Sequence, residues 1–219
     1  MQGIELLRHW KKFVDIAIQE TWLAFEQKPQ LFQTEDDVKC YLYNELQKVI
    51  KVQPYAVHAE VTHRAEHQNN GGYRFRDLVL LNPTRIWNNA FDNPIEGIHG
   101  IRNSGFSHIG ESIFFEIKFQ RIEGVRIIED DPENLITYQY QGGEDHPKYA
   151  ILIWVSKHGF YGEYILEEQM RESLQRFSDN VIEPHIPFEH VFGFVFNNEQ
   201  LYEIKRDGNN WISNRISPE

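Results

Sequence analysis

Residues 112–119, Ser-Ile-Phe-Phe-Glu-Ile-Lys-Phe, set a carboxylate and an ammonium two positions apart inside a run of bulky apolar side chains. The run reads as a buried strand. Side chains alternate across a strand, so Glu116 and Lys118 share one face with Ser112 and Phe114, while Ile113, Phe115, Ile117 and Phe119 take the other. A second acid stands in similar surroundings: in Phe75-Arg76-Asp77-Leu78-Val79-Leu80-Leu81, Asp77 opens a continuous apolar run. An ionised carboxylate there has to be paired, bound to a metal or neutralised. Two acids and a lysine on neighbouring strands form a candidate site for a hard divalent cation, Mg²⁺ or Mn²⁺. Such an ion takes oxygen ligands, usually one or two carboxylates with waters and substrate phosphates. Lys118 beside it would orient the attacking water or stabilise the charge developing on phosphorus, which is the chemistry of phosphodiester hydrolysis. The plainer alternative is an ion pair of Lys118 with Glu116 or Asp77 that serves no reaction.

The elements that must hold these residues follow from periodicity. Apolar residues at 4, 7, 10, 14, 18, 22 and 25 predict a helix over Ile4 to Phe25, ending before Lys28-Pro29. A second helix is expected from Thr34, an N-cap with Asp37 at the third following position, through Val38, Leu42 and Leu46 to before Pro54. Tyr55 to Thr62 and Tyr73 to Leu81 read as a hairpin around His67-Gln68-Asn69-Asn70-Gly71-Gly72. Residues 82–111, rich in Asn, Gly, Pro and His, have no sustained period and read as an insertion loop. After the Glu116 strand come a helix over Val125 to Tyr140, a central strand over Tyr149 to Ser156, an amphipathic helix over Tyr164 to Phe177, a strand over Val191 to Phe196 and an edge strand over Leu201 to Ile212. The order predicts an α/β fold with a mixed central sheet flanked by helices.

The 219 residues suit a single domain, 1–219, with residues 1–30 as an N-terminal helical appendage. With one cysteine, Cys40, no disulfide framework exists, and a reducing, cytoplasmic setting is expected. No stretch approaches the roughly 20 apolar residues of a membrane helix, and the Met-Gln-Gly-Ile-Glu start lacks the signature of a signal peptide. The net charge of −11 argues against a broadly basic nucleic-acid binder but not against a nuclease. Local bases, Arg64, Arg74, Arg76, Lys118, Arg121 and Arg126, fall on or beside the segments that carry the acids.

The order of elements, with Asp77 on the second strand and Glu116-Ile117-Lys118 on the third, resembles the PD-(D/E)XK nuclease superfamily over roughly residues 34–157. That resemblance implies a restriction-endonuclease-like α-β-β-β-α-β core. Members commonly carry a further glutamate near the start of the helix before the first strand, with apolar residues at the third and seventh following positions. Glu35, Val38 and Leu42 match this pattern. The resemblance therefore implies a metal-dependent nuclease acting on DNA in preference to RNA, with Asp77 and Glu116 as metal ligands, Glu35 on a second metal or its water, and Lys118 on the nucleophilic water. Arg76 replaces the proline of the literal motif, and the insertion lengthens the separation of Asp77 from Glu116. The contrasting expectation is a catalytically inactive member serving as an interaction or sensing module in a larger bacterial assembly. In either case the N-terminal helix is the expected place for a protein partner or a homodimer contact, with packing against the chain's own core as the alternative.

Other constellations carry less. Glu60, on the first hairpin strand, is readable as an extra ligand or as a partner of Arg74 or Arg76. Glu45 is ten residues after Glu35, about 80° off its helix face. Ten histidines without paired ligand spacing read as ordinary polar residues rather than a zinc site. Gly71-Gly72 and Gly142-Gly143 lack the lysine and helix of a nucleotide-binding loop. Tyr138, Gln139 and Tyr140 are expected to end the helix after the Glu116 strand, near the groove.

Overall fold

The computed structural model describes residues 2–50, 57–66, 72–81, 112–120, 139–140, 147–157, 166–181, 184 and 186–217. Helix α1 (Gln2–Gln27) and helix α2 (Glu35–Val49) precede strands β1 (Val57–Glu66), β2 (Gly72–Leu81) and β3 (Ser112–Gln120). Then come β4 (Gln139–Tyr140), β5 (Pro147–Ser156), helix α3 (Leu166–Asn180), β6 (Val191–Phe196), β7 (Leu201–Asp207) and β8 (Asn210–Ile216). These eight strands form one mixed sheet in the order β4-β1-β2-β3-β5-β6-β7-β8. Pairing is antiparallel from β4 through β1 and β2 to β3, parallel from β3 through β5 to β6, and antiparallel again to β7 and β8.

Helices cover both faces of the sheet centre, and the alternation along each strand divides the apolar residues between two cores. Ile113, Phe115 and Ile117 of β3 join Ile151, Ile153 and Val155 of β5 on the face that α1 and α2 cover. Phe114 joins Ala150, Leu152 and Trp154 on the face that α3 covers with Leu166, Met170 and Leu174. A strand buried on both faces has no polar alternation, which is why β3 and β5 are nearly continuous in apolar residues. Glu116 and Lys118 interrupt that pattern. Helix α1 buries the stripe Trp10, Val14, Ile18, Trp22 and Phe25 in the same core as α2.

The hairpin expected over 55–81 is present as β1 and β2, paired from Val57↔Leu80 to Ala65↔Gly72. Two segments differ from their sequence reading. Gln139 and Tyr140 are not a helix end; they add a short strand to β1 opposite Ala65 and Glu66. Residues 201–216 form two strands instead of one, because Gly208, at φ +60°, takes the left-handed conformation of a tight turn between Asp207 and Asn210. The insertion at 82–111, residues 125–138 of the expected helix, and the turn at 67–71 lie outside the described residues, as do the side chains of Glu60 and His63. No helix among the described residues is long and apolar enough to cross a membrane.

Candidate active site

The site forms where β2 and β3 part, within reach of Lys39 of α2. The start of that helix is fixed locally. Thr34 Oγ1 accepts the Asp37 amide, and Asp37 Oδ2 accepts the amides of Thr34 and Gln33, closing a capping box. The Gln33 amide bond first, with the bonds from Thr34, holds the Asp37 carboxyl below its ordinary range. Asp37 is thereby committed to the cap, and Glu35 is left to face the sheet.

Antiparallel pairing of β2 with β3 runs from Leu81↔Ser112 to Leu78↔Phe115. One residue further along β2, the Asp77 carboxylate takes over from the ladder: its Oδ2 accepts the Ile117 amide at 2.7 Å. Its other oxygen, Oδ1, lies 3.3 Å from Lys39 Nζ of α2. Across the fork, Glu116 Oε1 accepts from Lys118 Nζ at 2.9 Å, as the shared strand face requires. Glu116 Oε2 lies 3.8 Å from Arg76 Nη1. The Arg76 guanidinium is 5.4 Å from the centre of the Phe114 ring and is almost wholly buried, with 3 % of its surface exposed. Stacking on an aromatic face and pairing with a carboxylate together offset part of the desolvation of that cation.

Glu35 joins this group electrostatically. Burial raises its carboxyl above the ordinary value; the negative charges of Asp77 and Glu116 raise it further, and the Lys118 and Lys39 ammonium groups oppose the rise. Of the four residues singled out from sequence, Glu116 and Lys118 are in direct contact and Asp77 bonds the intervening Ile117 amide, while Glu35 is linked to them only through the charges that shift its carboxyl. Glu45 is not part of the cluster's pairing: its buried carboxylate bonds Lys48 Nζ at 2.6 Å.

Two cations were not assigned these roles from sequence. Lys39 follows Glu35 by four residues, which places both on one helix face, so the angular test that sets Glu45 aside would have selected Lys39. Arg76 is visible as a local base, but its burial against Glu116 is a tertiary outcome. The strand face also continues past Lys118 to Gln120, whose Oε1 accepts from Ser156 Oγ of β5 at 2.7 Å. This pair extends the polar edge of the site along the ends of the parallel strands.

Three acids, Glu35, Asp77 and Glu116, are therefore matched by three bases, Lys39, Arg76 and Lys118. Among the described residues no group of three or more His, Cys, Asp or Glu side chains is arranged to hold a metal ion. The donor set nonetheless suits a hard cation of the Mg²⁺ type: two carboxylates on adjoining strands are a usual protein contribution, with water filling the remaining positions. Cys40 is exposed and provides no soft ligand there.

No family model matches the chain, and neither a curated protein nor a solved structure matches it.

Proposed function

We propose that the chain is a Mg²⁺- or Mn²⁺-dependent nuclease with a restriction-endonuclease-like core, acting on DNA in preference to RNA. The observation that carries this reading is the fork between β2 and β3, where Asp77 and Glu116 stand on adjoining strands, Asp77 bonded to the Ile117 amide and Lys118 at 2.9 Å from Glu116. A metal-dependent hydrolytic site needs acids to hold its cation, with a proton-bearing group beside them. Asp77 and Glu116 would hold the ion, Glu35 a second ion or its water. The bound cation would supply a lowered pKa for its water and Lewis-acid stabilisation of the phosphate. Lys118 would donate to the attacking water or to a phosphate oxygen, since its three donors rotate freely and it loses a proton more readily than a guanidinium. The net charge of −11 leaves little general attraction for a polyanion, so Arg76, Lys39 and Lys118 at the site, or a delivering protein, would have to localise the substrate.

The test is incubation of purified protein with plasmid, linear duplex, single-stranded DNA and RNA at low salt, in Mn²⁺, in Mg²⁺ and in chelator, with Glu116→Ala alongside. Cleavage that needs the ion and Glu116 is expected. Intact substrate across the whole panel would reject the nuclease reading.

A second reading is favoured by the matched charges. Each strand carboxylate already has a protein cation, so the fork is also a self-contained ion-pair network, as a non-catalytic interaction or sensing module would keep. Absence of both cleavage and Mn²⁺ binding in folded protein would select it.

A further inference from the structure

Lys39 stands in an unusual position for a lysine. Only 9 % of its surface is exposed, yet its ammonium lies between two acids of opposite character. Asp77 Oδ1, on the buried side, is 3.3 Å away. Asp36 Oδ1, on the solvent side, is 3.0 Å away, and the Asp36 side chain is 79 % exposed. The other oxygen of Asp77 is engaged by the Ile117 amide. Lys39 thus touches the Asp77 oxygen that does not accept the Ile117 amide.

Resting on the metal-binding reading above, we propose that Lys39 is a built-in counter-ion: it occupies Asp77 Oδ1 in the metal-free protein and shifts onto Asp36 when a divalent cation enters. An ammonium and a divalent ion repel each other strongly in a site shielded from solvent, so both cannot crowd one carboxylate oxygen. Displacing a buried lysine with nowhere to go would oppose metal entry. Asp36, one turn before Lys39 on α2 and already in contact, gives the ammonium an outward partner, and the long flexible side chain makes the swing local. The site is then balanced in both states, by Lys39 without the ion and by the ion with Lys39 withdrawn. Arg76 is not arranged for the same exchange, because its guanidinium is held at the Phe114 ring.

The experiment is titration with Mn²⁺ alone, by calorimetry and by the electron-spin signal of free Mn²⁺, on metal-stripped wild type, Lys39→Met, Asp36→Asn and the double variant. Lys39→Met should bind at least about tenfold more tightly, since a unit charge at a few ångströms typically shifts the affinity of a carboxylate for a proton by roughly one to three decades. Asp36→Asn, at an exposed position that leaves folding intact, should bind about threefold more weakly, because Lys39 loses its outward partner and stays on Asp77. The decisive measure is the coupling. If Asp36 acts through Lys39, Asp36→Asn changes affinity by less than about twofold in the Lys39→Met background. Equal penalties in both backgrounds would reduce Asp36 to a distant field effect and overturn the exchange. Wild-type affinity in Lys39→Met would also overturn it while leaving the metal reading in place. If no folded protein in the set binds Mn²⁺, the metal reading itself fails and the inference with it.

Discussion

Removing the Asp77 carboxylate tests the fork most directly, because its protein contacts set the sign of the outcome. Three acids read from sequence alone suggest mutual repulsion, and hence that deleting one would relieve strain. The geometry argues the reverse. Asp77 accepts a charge-assisted bond from the Ile117 amide at 2.7 Å, and a bond to a charged partner typically contributes about 1.5–3 kcal/mol. It also pairs with Lys39, both side chains being nearly buried at 13 % and 11 % exposed, so solvent screens the pair weakly. Stranding one member of a buried pair costs about 3–5 kcal/mol when nothing replaces the partner. Lys39 keeps Asp36, and the repulsion of Asp77 on Glu35 disappears, so both figures are reduced. We expect Asp77→Ala to lose about 2–4 kcal/mol in chelator. Asp77→Asn, which keeps an oxygen for the Ile117 amide, should lose about half of that. Urea unfolding followed by circular dichroism, with equal slopes for all three proteins, measures both. An Asp77→Ala protein within about 0.5 kcal/mol of wild type, or more stable than it, would mean that repulsion governs the fork and that the Lys39 and Ile117 contacts contribute little.

Lys118→Met should leave Mn²⁺ affinity within a few-fold of wild type and remove most hydrolysis, and Lys118→Arg should not restore it, because a planar guanidinium places its donors differently; full turnover by either variant would remove Lys118 from the reaction. Elsewhere, burial favours the neutral form of Glu203, but the bond and charge of Lys11, with those of Lys205, outweigh it and hold the carboxyl below its ordinary 4.5, whereas burial lifts Asp15 above 3.8 against the pull of Lys11. Glu203 therefore stabilises the fold above pH 4.5 and loses that contribution as pH falls through its folded value, while the contribution of Asp15 is full below pH 3.8 and is lost as pH rises. Thermal melts at pH 7 should show Glu203→Gln less stable and Asp15→Asn more stable than wild type, with both differences shrinking near pH 3; shifts of the same sign at pH 7 would contradict this assignment. Gly193→Ala should cost about 1–3 kcal/mol by overpacking, since an added Cβ would lie 2.4 Å from Met170 Sδ and 3.2 Å from Ile204 Cβ; an unchanged urea midpoint would show that Met170 moves aside freely.

What the sequence displays well is whatever a short window enforces. The Thr34 cap, the stripe from Trp10 to Phe25, and the strands around Asp77 and Glu116 are set by spacing and by neighbours within a few residues, and they recur in the structure close to their expected bounds. The face shared by Glu116 and Lys118 follows from alternation alone and is realised as a 2.9 Å bond. Segments decided by competing tendencies are less legible. Residues 201–216 carry strand-forming side chains on both sides of Gly208, and only the positive φ at that glycine turns one expected strand into two. Gln139 and Tyr140 are compatible with a helix, yet β1 offers an edge that they pair with instead.

The cations at the fork mark the boundary of that legibility. Lys39 and Arg76 are ordinary in sequence, one on a helix that tolerates lysine at most positions, the other beside an acid on a strand. Their roles arise only in the assembled fold: packing of α2 against the sheet brings the Lys39 ammonium to Asp77, and the pairing of β2 with β3 sets Arg76 beside Glu116 and the Phe114 ring. Acids buried in an apolar strand announce themselves, because an unpaired charge there is costly wherever the partner lies. The partner does not, since a long side chain can reach the site from several elements and only the fold selects one. A carboxylate on a hydrophobic strand therefore locates a candidate site from sequence, whereas what balances it is decided by the elements packed around it. In this chain that decision turns on whether Lys39 stays on Asp77 or gives way to the ion.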